Sequence, residues 1–363
     1  MRMIVPIQIL RALAAIGVVA SHFQFDLSRV MGAEAPHPAL LLGNAGVDLF
    51  FVISGFIMVY ASDPLFAESR GPLTFFAHRS IRIIPLYWLA TASYILIAAI
   101  VPSFEKGYSL DTIAASLFFI PHMRDGVVQP IVGQGWTLNY EMFFYALFGL
   151  AVFLPRSAAV WVVSCILIGA VLAGLLFAPL PVALAFWSDP IVLEFVFGML
   201  LAVAYQAGIR LPAGACFALM IVGIALFICL ASYGPTASAW RPLMWGVPAA
   251  FIVAGATLGN FSPAGSCWYA IAVVGEASYA LYLFHSFPVR AVARFAQWSE
   301  MDVVGSYWLL LAAAIIGAIG MAIAIYYAFE RPVTRALREH VIDGARWHHL
   351  RTISVAVSRR VNR

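Results

Sequence analysis

The chain has 363 residues, of which 63% are hydrophobic and 10% charged, with a formal net charge of +4 and a mean hydropathy of +0.93. So little charge over such a length excludes an ordinary soluble domain, and no nucleic-acid partner is expected. The composition is that of an all-α polytopic membrane protein in contact with lipid.

A helix needs about 20 residues to cross the roughly 30 Å hydrocarbon layer. Taken in chain order, apolar windows of this kind fall at 7–25, 44–61, 84–101, 136–154, 158–178, 190–206, 213–231, 243–258, 268–289 and 306–329, which predicts a bundle of about ten transmembrane helices. The first window, "IQILRALAAIGVVASHFQF", carries Arg11 and His22. No small-residue cleavage site follows it, so it is expected to remain as the first span. Eleven residues at about 100° each bring the helix round to within roughly 20° and raise it about 16 Å, so both side chains share one face near opposite ends. Snorkelling of each to its own interface is the plainer alternative.

The second window opens on a Gly-Val-Asp turn in which Asp48 serves either as a helix cap or in catalysis. Ahead of the third, "FFAHRSIRIIPLYW" places Arg79 and Arg82 three residues apart, hence on one helical face, as topogenic charge or as an anion grip. The stretch "TIAASLFFI" at 112–120 is too short to cross and reads as a re-entrant or interfacial helix. The fourth window brings Trp136, Asn139, Tyr140 and, beside Phe143 and Phe144, Glu141; the sixth brings Glu194, and the ninth Glu276 and His285. Four cysteines, Cys165, Cys216, Cys229 and Cys267, lack metal-ligand spacing and read as small hydrophobes, so neither a disulfide nor a metal is expected. A single membrane domain over 1–330 is thus followed by a basic segment, 331–363, expected on the anionic inner leaflet.

A cytoplasmic N-terminus places Arg70, Arg79, Arg82, Arg156, Arg210 and the basic tail inside, with Arg241 as an exception and Arg290 and Arg294 diluting the contrast. An ionisable group at the bilayer centre costs about 2.5–3.5 kcal/mol on insertion scales, so such groups face a cavity and act there. Sorted by depth on this topology, His22, Asp48, Glu141 and His285 are expected together in the outer half, and Arg11, Arg79 and Arg82 at the inner end. Imidazole and carboxylate at close quarters make a general acid–base site, with His22 as base and Glu141 or Asp48 as its orienting partner. Forked guanidinium donors suit phosphates. A phosphate grip at one face and chemistry some 16 Å away, joined by a tunnel, call for a long thin arm such as pantetheine, so a coenzyme A thioester is the expected donor. Trp136, Asn139 or Tyr140 is placed to meet an oxyanion. His285 either binds the acceptor or hydrogen-bonds a neighbour, and Glu194 and Glu276 read as structural partners of interior polar groups. Proton coupling in a transporter or lipid-linked sugar flippase is the rival use for such groups, but the chain has no detectable inverted repeat.

Five segments in order, "IQILRALAAIGVVASHF", "GNAGVDLFFVISGFIM", "FFAHRSIRIIPLYW", "GQGWTLNYEMFFYALFG" and "EASYALYLFHSFPV" with "YYAFERPVTRAL", resemble acyltransferase family 3, and the wording is similar to its exopolysaccharide-modifying branch. The resemblance covers nearly the whole chain. It implies an enzyme of the bacterial inner membrane that takes an acetyl group from cytoplasmic acetyl-CoA. The acceptor it implies is a hydroxyl of an exopolysaccharide or of a lipid-linked oligosaccharide at the outer side. The family's essential arginine and histidine fall on Arg11 and His22, its inner-face arginine pair on Arg79 and Arg82, and its glutamate after the Trp-Thr/Ser-Leu motif on Glu141. Where many relatives carry a further arginine this chain has His78.

Overall fold

The computed structural model describes residues 4–31, 37–101, 107–231, 240–261 and 265–343. Its helices are α1 (Val5–Met31), α2 (Gly46–Ala61), α3 (Gly71–Ile100), α4 (Leu110–Leu117), α5 (Trp136–Ala151), α6 (Arg156–Leu176), α7 (Val182–Trp187) and α8 (Leu193–Gln206). They continue as α9 (Ala213–Ala231), α10 (Val247–Thr257), α11 (Ser266–Glu276), α12 (Ser278–Phe284), α13 (Ser286–Trp298), α14 (Val303–Ile325) and α15 (Arg331–Arg338). A two-stranded hairpin, Met123–Arg124 with Val127–Val128, is the one sheet among the described residues. The basic residues from Arg346 onward, and the side chain of Cys267, lie outside the described part of the chain.

Six of the described helices are long and apolar enough to cross a membrane: Val5–Val30, Leu42–Ala61, Gly71–Ile100, Arg156–Leu176, Ala213–Leu230 and Gly305–Val341. The apolar helices Pro190–Gln206 and Pro242–Thr257 are shorter. The all-α membrane class therefore holds, while the expected spans, about ten, do not emerge as ten long helices among the described residues. The window at 268–289 is divided among α11, α12 and α13, joined at Ala277 and His285, and the last of these continues past it through Arg290 and Arg294. Between 101 and 136, α4 has eight residues and an extent of about 12 Å, far short of a crossing. Ser109 caps it by accepting from the Thr112 N–H at 3.2 Å.

Two departures from the expected boundaries matter for the site. The segment carrying Arg79 and Arg82 is the first half of α3, which starts at Gly71, ahead of the expected window at 84–101, and is continuous through Pro85. Nor does the last span stop at Glu330: a π-helical turn, Tyr326–Glu330, leads directly into α15, which packs back on α3. At the centre α2 crosses α8 backbone to backbone. A Cβ on Gly55 would collide with the Phe195 carbonyl oxygen, and one on Gly198 with that of Val52. Close approach through small residues is how helices gain dispersion energy where lipid removes the hydrophobic drive to associate. The aromatic core formed by Phe51, Phe144 and Phe195 sits against this crossing, with the rings of Phe144 and Phe195 stacked 4.3 Å apart.

Candidate active site

One end of the bundle gathers arginines. A cavity of about 550 Å³ is lined there by Arg11 of α1, His78, Arg79 and Arg82 of α3 and Arg338 of α15. It runs inward past Ser54 and Glu141 to Val47, Phe50, Thr137 and Tyr282. None of these arginines has a carboxylate within 4.0 Å among the described residues, where the four ion pairs are Arg124–Asp125, Arg156–Asp63, Arg241–Asp48 and Arg290–Asp26. The buried Nε of Arg79 has no hydrogen-bond partner, and its guanidinium lies over the rings of Phe75 and Tyr145 at 5.6 and 5.8 Å. Such an array keeps its forked donors available to an anion.

Glu141 belongs to this cavity and not to the histidines. It accepts from Ser54 Oγ at 2.8 Å and from the Tyr145 hydroxyl. Ser54 lies six residues beyond Asp48 on α2, so Glu141 sits about 9 Å deeper than Asp48, measured along that helix. The expected outer quartet is therefore divided. Asp48 is also elsewhere: both its oxygens accept from Arg241, from Nε and from Nη2, each at 3.0 Å. Arg241, the exception to the charge asymmetry, is thus committed to a fully buried carboxylate, with the buried Glu194 beside the pair. Glu276 accepts from the Tyr326 hydroxyl at 3.0 Å, as a structural partner would.

The two remaining members of the quartet do meet. His285 Nε2 and His22 Nδ1 are 2.8 Å apart, with ring centroids at 4.8 Å. His285 Nδ1 faces two backbone carbonyls, Leu281 O at 3.1 Å and Tyr282 O at 2.9 Å. Carbonyls only accept, so His285 carries its proton on Nδ1 and, as a neutral ring, presents the lone pair of Nε2. His22 then donates from Nδ1, which leaves its own Nε2 unprotonated and without a hydrogen-bond partner among the described residues. The pair reproduces, with a second imidazole in place of a carboxylate, the arrangement in which one group fixes the tautomer of a base.

Between cavity and histidines stands a buried polar layer that the chain's apolar pattern does not announce. The Tyr282 hydroxyl is 2.9 Å from Thr137 Oγ1 and donates to the Gln134 carbonyl at 2.9 Å. Gln134 Nε2 donates to Leu283 O at 2.8 Å. The Tyr282 ring lies 6.3 Å from that of His285, and neither histidine lines the cavity, so the expected tunnel is closed at Tyr282. Of the three residues placed for an oxyanion, Tyr140 is stacked on Phe186 at 3.9 Å and Trp136 meets Tyr140 edge-on at 5.9 Å. Asn139 is buried with its Oδ1 unpartnered, and neither it nor its two neighbours is joined to the histidine pair by a hydrogen bond. Two further residues beside His22 escaped the sequence reading, Asp26 one turn along α1 and Arg290 of α13, 3.8 Å apart. The i, i+4 spacing of His22 and Asp26 was the available signal.

Residues 5–327 match a protein-family model described as an acyltransferase domain. The chain is 36% identical over 315 residues to the exopolysaccharide production protein ExoZ of Rhizobium meliloti (strain 1021), an alignment covering 84% of this chain and 93% of that one. It is 26% identical over 372 residues to the acyltransferase MdmB of Streptomyces mycarofaciens, covering 90% and 91%. No solved structure is significantly similar to the chain.

Proposed function

The chain belongs to acyltransferase family 3, and from that premise we propose that this membrane acyltransferase moves an acetyl group from cytoplasmic acetyl-CoA to a hydroxyl of an exopolysaccharide or lipid-linked glycan at the outer side of the inner membrane. The observation that carries the reading is the pairing, on one face of α1, of an arginine-lined cavity at Arg11 with an oriented imidazole at His22, about 16 Å further along the helix. The similarity to a protein of exopolysaccharide production supports the acceptor class.

In the proposed reaction Arg11, Arg79 and Arg82 hold the donor's phosphates and the thioester arm extends through the cavity towards Tyr282. Rotation of the Tyr282 ring joins the cavity to the histidine pair. His22 Nε2 takes the proton of the acceptor hydroxyl as its oxygen attacks the thioester carbonyl, and His285 Nε2, accepting from His22 Nδ1, steadies the imidazolium that forms. Collapse of the tetrahedral intermediate breaks the carbon–sulfur bond, and the departing thiolate receives the proton from His22. The products are an O-acetyl ester and free coenzyme A. Glu141, tied to Ser54 and Tyr145, positions the arm's corridor and balances the arginine charge. Trp136, Asn139 and Tyr140 do not line that corridor and pack at the start of the helix that carries Glu141. Asp48, held by Arg241, supports α2. On this reading the arginine end faces the cytoplasm, with both termini there.

Acetyl transfer from radiolabelled acetyl-CoA to polysaccharide in washed membranes tests the proposal. Label is expected to appear in ester linkage with the wild type and to be lost in His22→Ala at equal membrane content. Acetylation that persists in that variant removes the imidazole from the reaction, and transport of glycan with no donor consumed would identify a flippase instead.

A further inference from the structure

A second cavity, of about 520 Å³, adjoins the first at the inner end. Gln8, Arg11, Arg82 and Arg338 line both, so the two share a wall. The second adds Arg331 and Arg335, which the first lacks, while Arg79 lines the first alone. On α15, Arg331, Arg335 and Arg338 stand at i, i+4 and i+7, one face of the helix. Like charges at that spacing repel and are unfavourable in an isolated helix. Three glutamates line the same cavity, yet none comes within 4.0 Å of these arginines among the described residues: Glu276 is engaged by Tyr326, and Glu330 is buried with Oε2 unpartnered. Six arginines from three helices therefore converge with no carboxylate closing on them, more than one phosphate or one diphosphate can engage through forked contacts.

We propose that the second cavity is a phosphomonoester subsite: Arg331, Arg335 and Arg338 take a phosphate carried on the donor's ribose, while Arg79, Arg82 and Arg11 take its diphosphate. The assignment rests on the nucleotide-thioester reading of the donor. It follows from the order of the cavities, since the arm that enters the first by way of the diphosphate leaves the nucleoside, with any phosphate on its sugar, on the far side of the shared wall. The volume suits a nucleoside of that size. The same arginine face would also suit the phosphate of an anionic lipid headgroup, and the test separates the two.

The full-length protein in phosphatidylcholine nanodiscs is titrated with ADP and with 3′-phospho-ADP, which keeps the diphosphate and adds only the ribose phosphate, and the titrations are then repeated as Arg331→Gln/Arg335→Gln. The wild type is expected to bind 3′-phospho-ADP at least roughly tenfold more tightly than ADP, the scale of a charge-assisted contact. The double variant is expected to lose that preference while its ADP affinity stays within about threefold of wild type. Equal affinity for the two nucleotides in the wild type, or an equal loss of both in the variant, overturns the subsite. So does disappearance of the preference when phosphatidylglycerol replaces phosphatidylcholine, which would assign the face to a lipid headgroup. Transfer rates separate this proposal from the donor reading. Equal use of acetyl-CoA and its 3′-dephosphorylated form sinks the subsite and leaves the donor standing. Preferential binding of 3′-phospho-ADP without transfer from acetyl-CoA sinks the donor and leaves the subsite.

Discussion

Replacing His285 by leucine isolates the contribution of the histidine pair. The substitution removes the Nε2 acceptor 2.8 Å from His22 Nδ1 and leaves the arginine cavity untouched, because His285 does not line it. While His22 is neutral the bond is an ordinary one, of about 1 kcal/mol net; once His22 holds the acceptor's proton, it joins a charged donor and is worth about 1.5–3 kcal/mol. Only the difference, about 0.5–2 kcal/mol, acts on kcat, and at about 1.4 kcal/mol per decade its loss lowers kcat roughly 2- to 30-fold. Removing the base itself, in His22→Ala, costs more, about 10²- to 10⁴-fold. The KM for acetyl-CoA is expected to stay near the wild-type value in both. His285→Gln, whose carboxamide oxygen can accept from His22 Nδ1, is expected to recover most of the loss in His285→Leu. The assay is the initial rate of acetyl transfer to glycan in inside-out membrane vesicles at saturating donor, normalised to folded protein. A His285→Leu enzyme with unaltered kcat refutes the reasoning, as does a His285→Gln enzyme as slow as the leucine variant.

Two structural predictions accompany it. Arg241→Ala strands the fully buried Asp48 carboxylate, and breaking a buried pair from one side costs about 3–5 kcal/mol; a marked fall in thermal midpoint in detergent is expected, relieved in Arg241→Ala/Asp48→Ala. An unchanged midpoint in the single variant would mean the pair carries no stability. Gly198→Val sets a branched side chain against the Val52 carbonyl at the α2–α8 crossing, and overpacking of about 1–3 kcal/mol or more is expected to reduce folded yield, whereas Gly208→Ala, in a turn with open space around it, leaves yield closer to wild type despite its positive φ. Equal yields for the two would contradict the close crossing.

The membrane class, the positions of the apolar helices and the shared face of Arg11 and His22 were all legible in the chain, since each depends on local quantities: hydropathy over a window, and a rotation of about 100° per residue within one helix. What the sequence could not decide was which polar groups of different helices meet. Helices such as α2 and α5 are apolar nearly all round, so no stripe marks the face turned inward, and a shift of a few residues in register moves a side chain by several ångströms at about 1.5 Å per residue. That margin separated Glu141 from His22 and set it against Ser54 and Tyr145. Asp48 could likewise be read as cap or catalyst until Arg241, 193 residues away, was brought onto it. How far α3 extends ahead of its expected window, and the continuation of the last span into α15, also depended on packing between them, because charged helix ends at a membrane face carry too little hydropathy to stand out. The sequence determined the membrane class and one helical face; tertiary packing chose the partners and the final helix lengths, because depth and azimuth are properties of neighbouring helices and not of a single strand of residues.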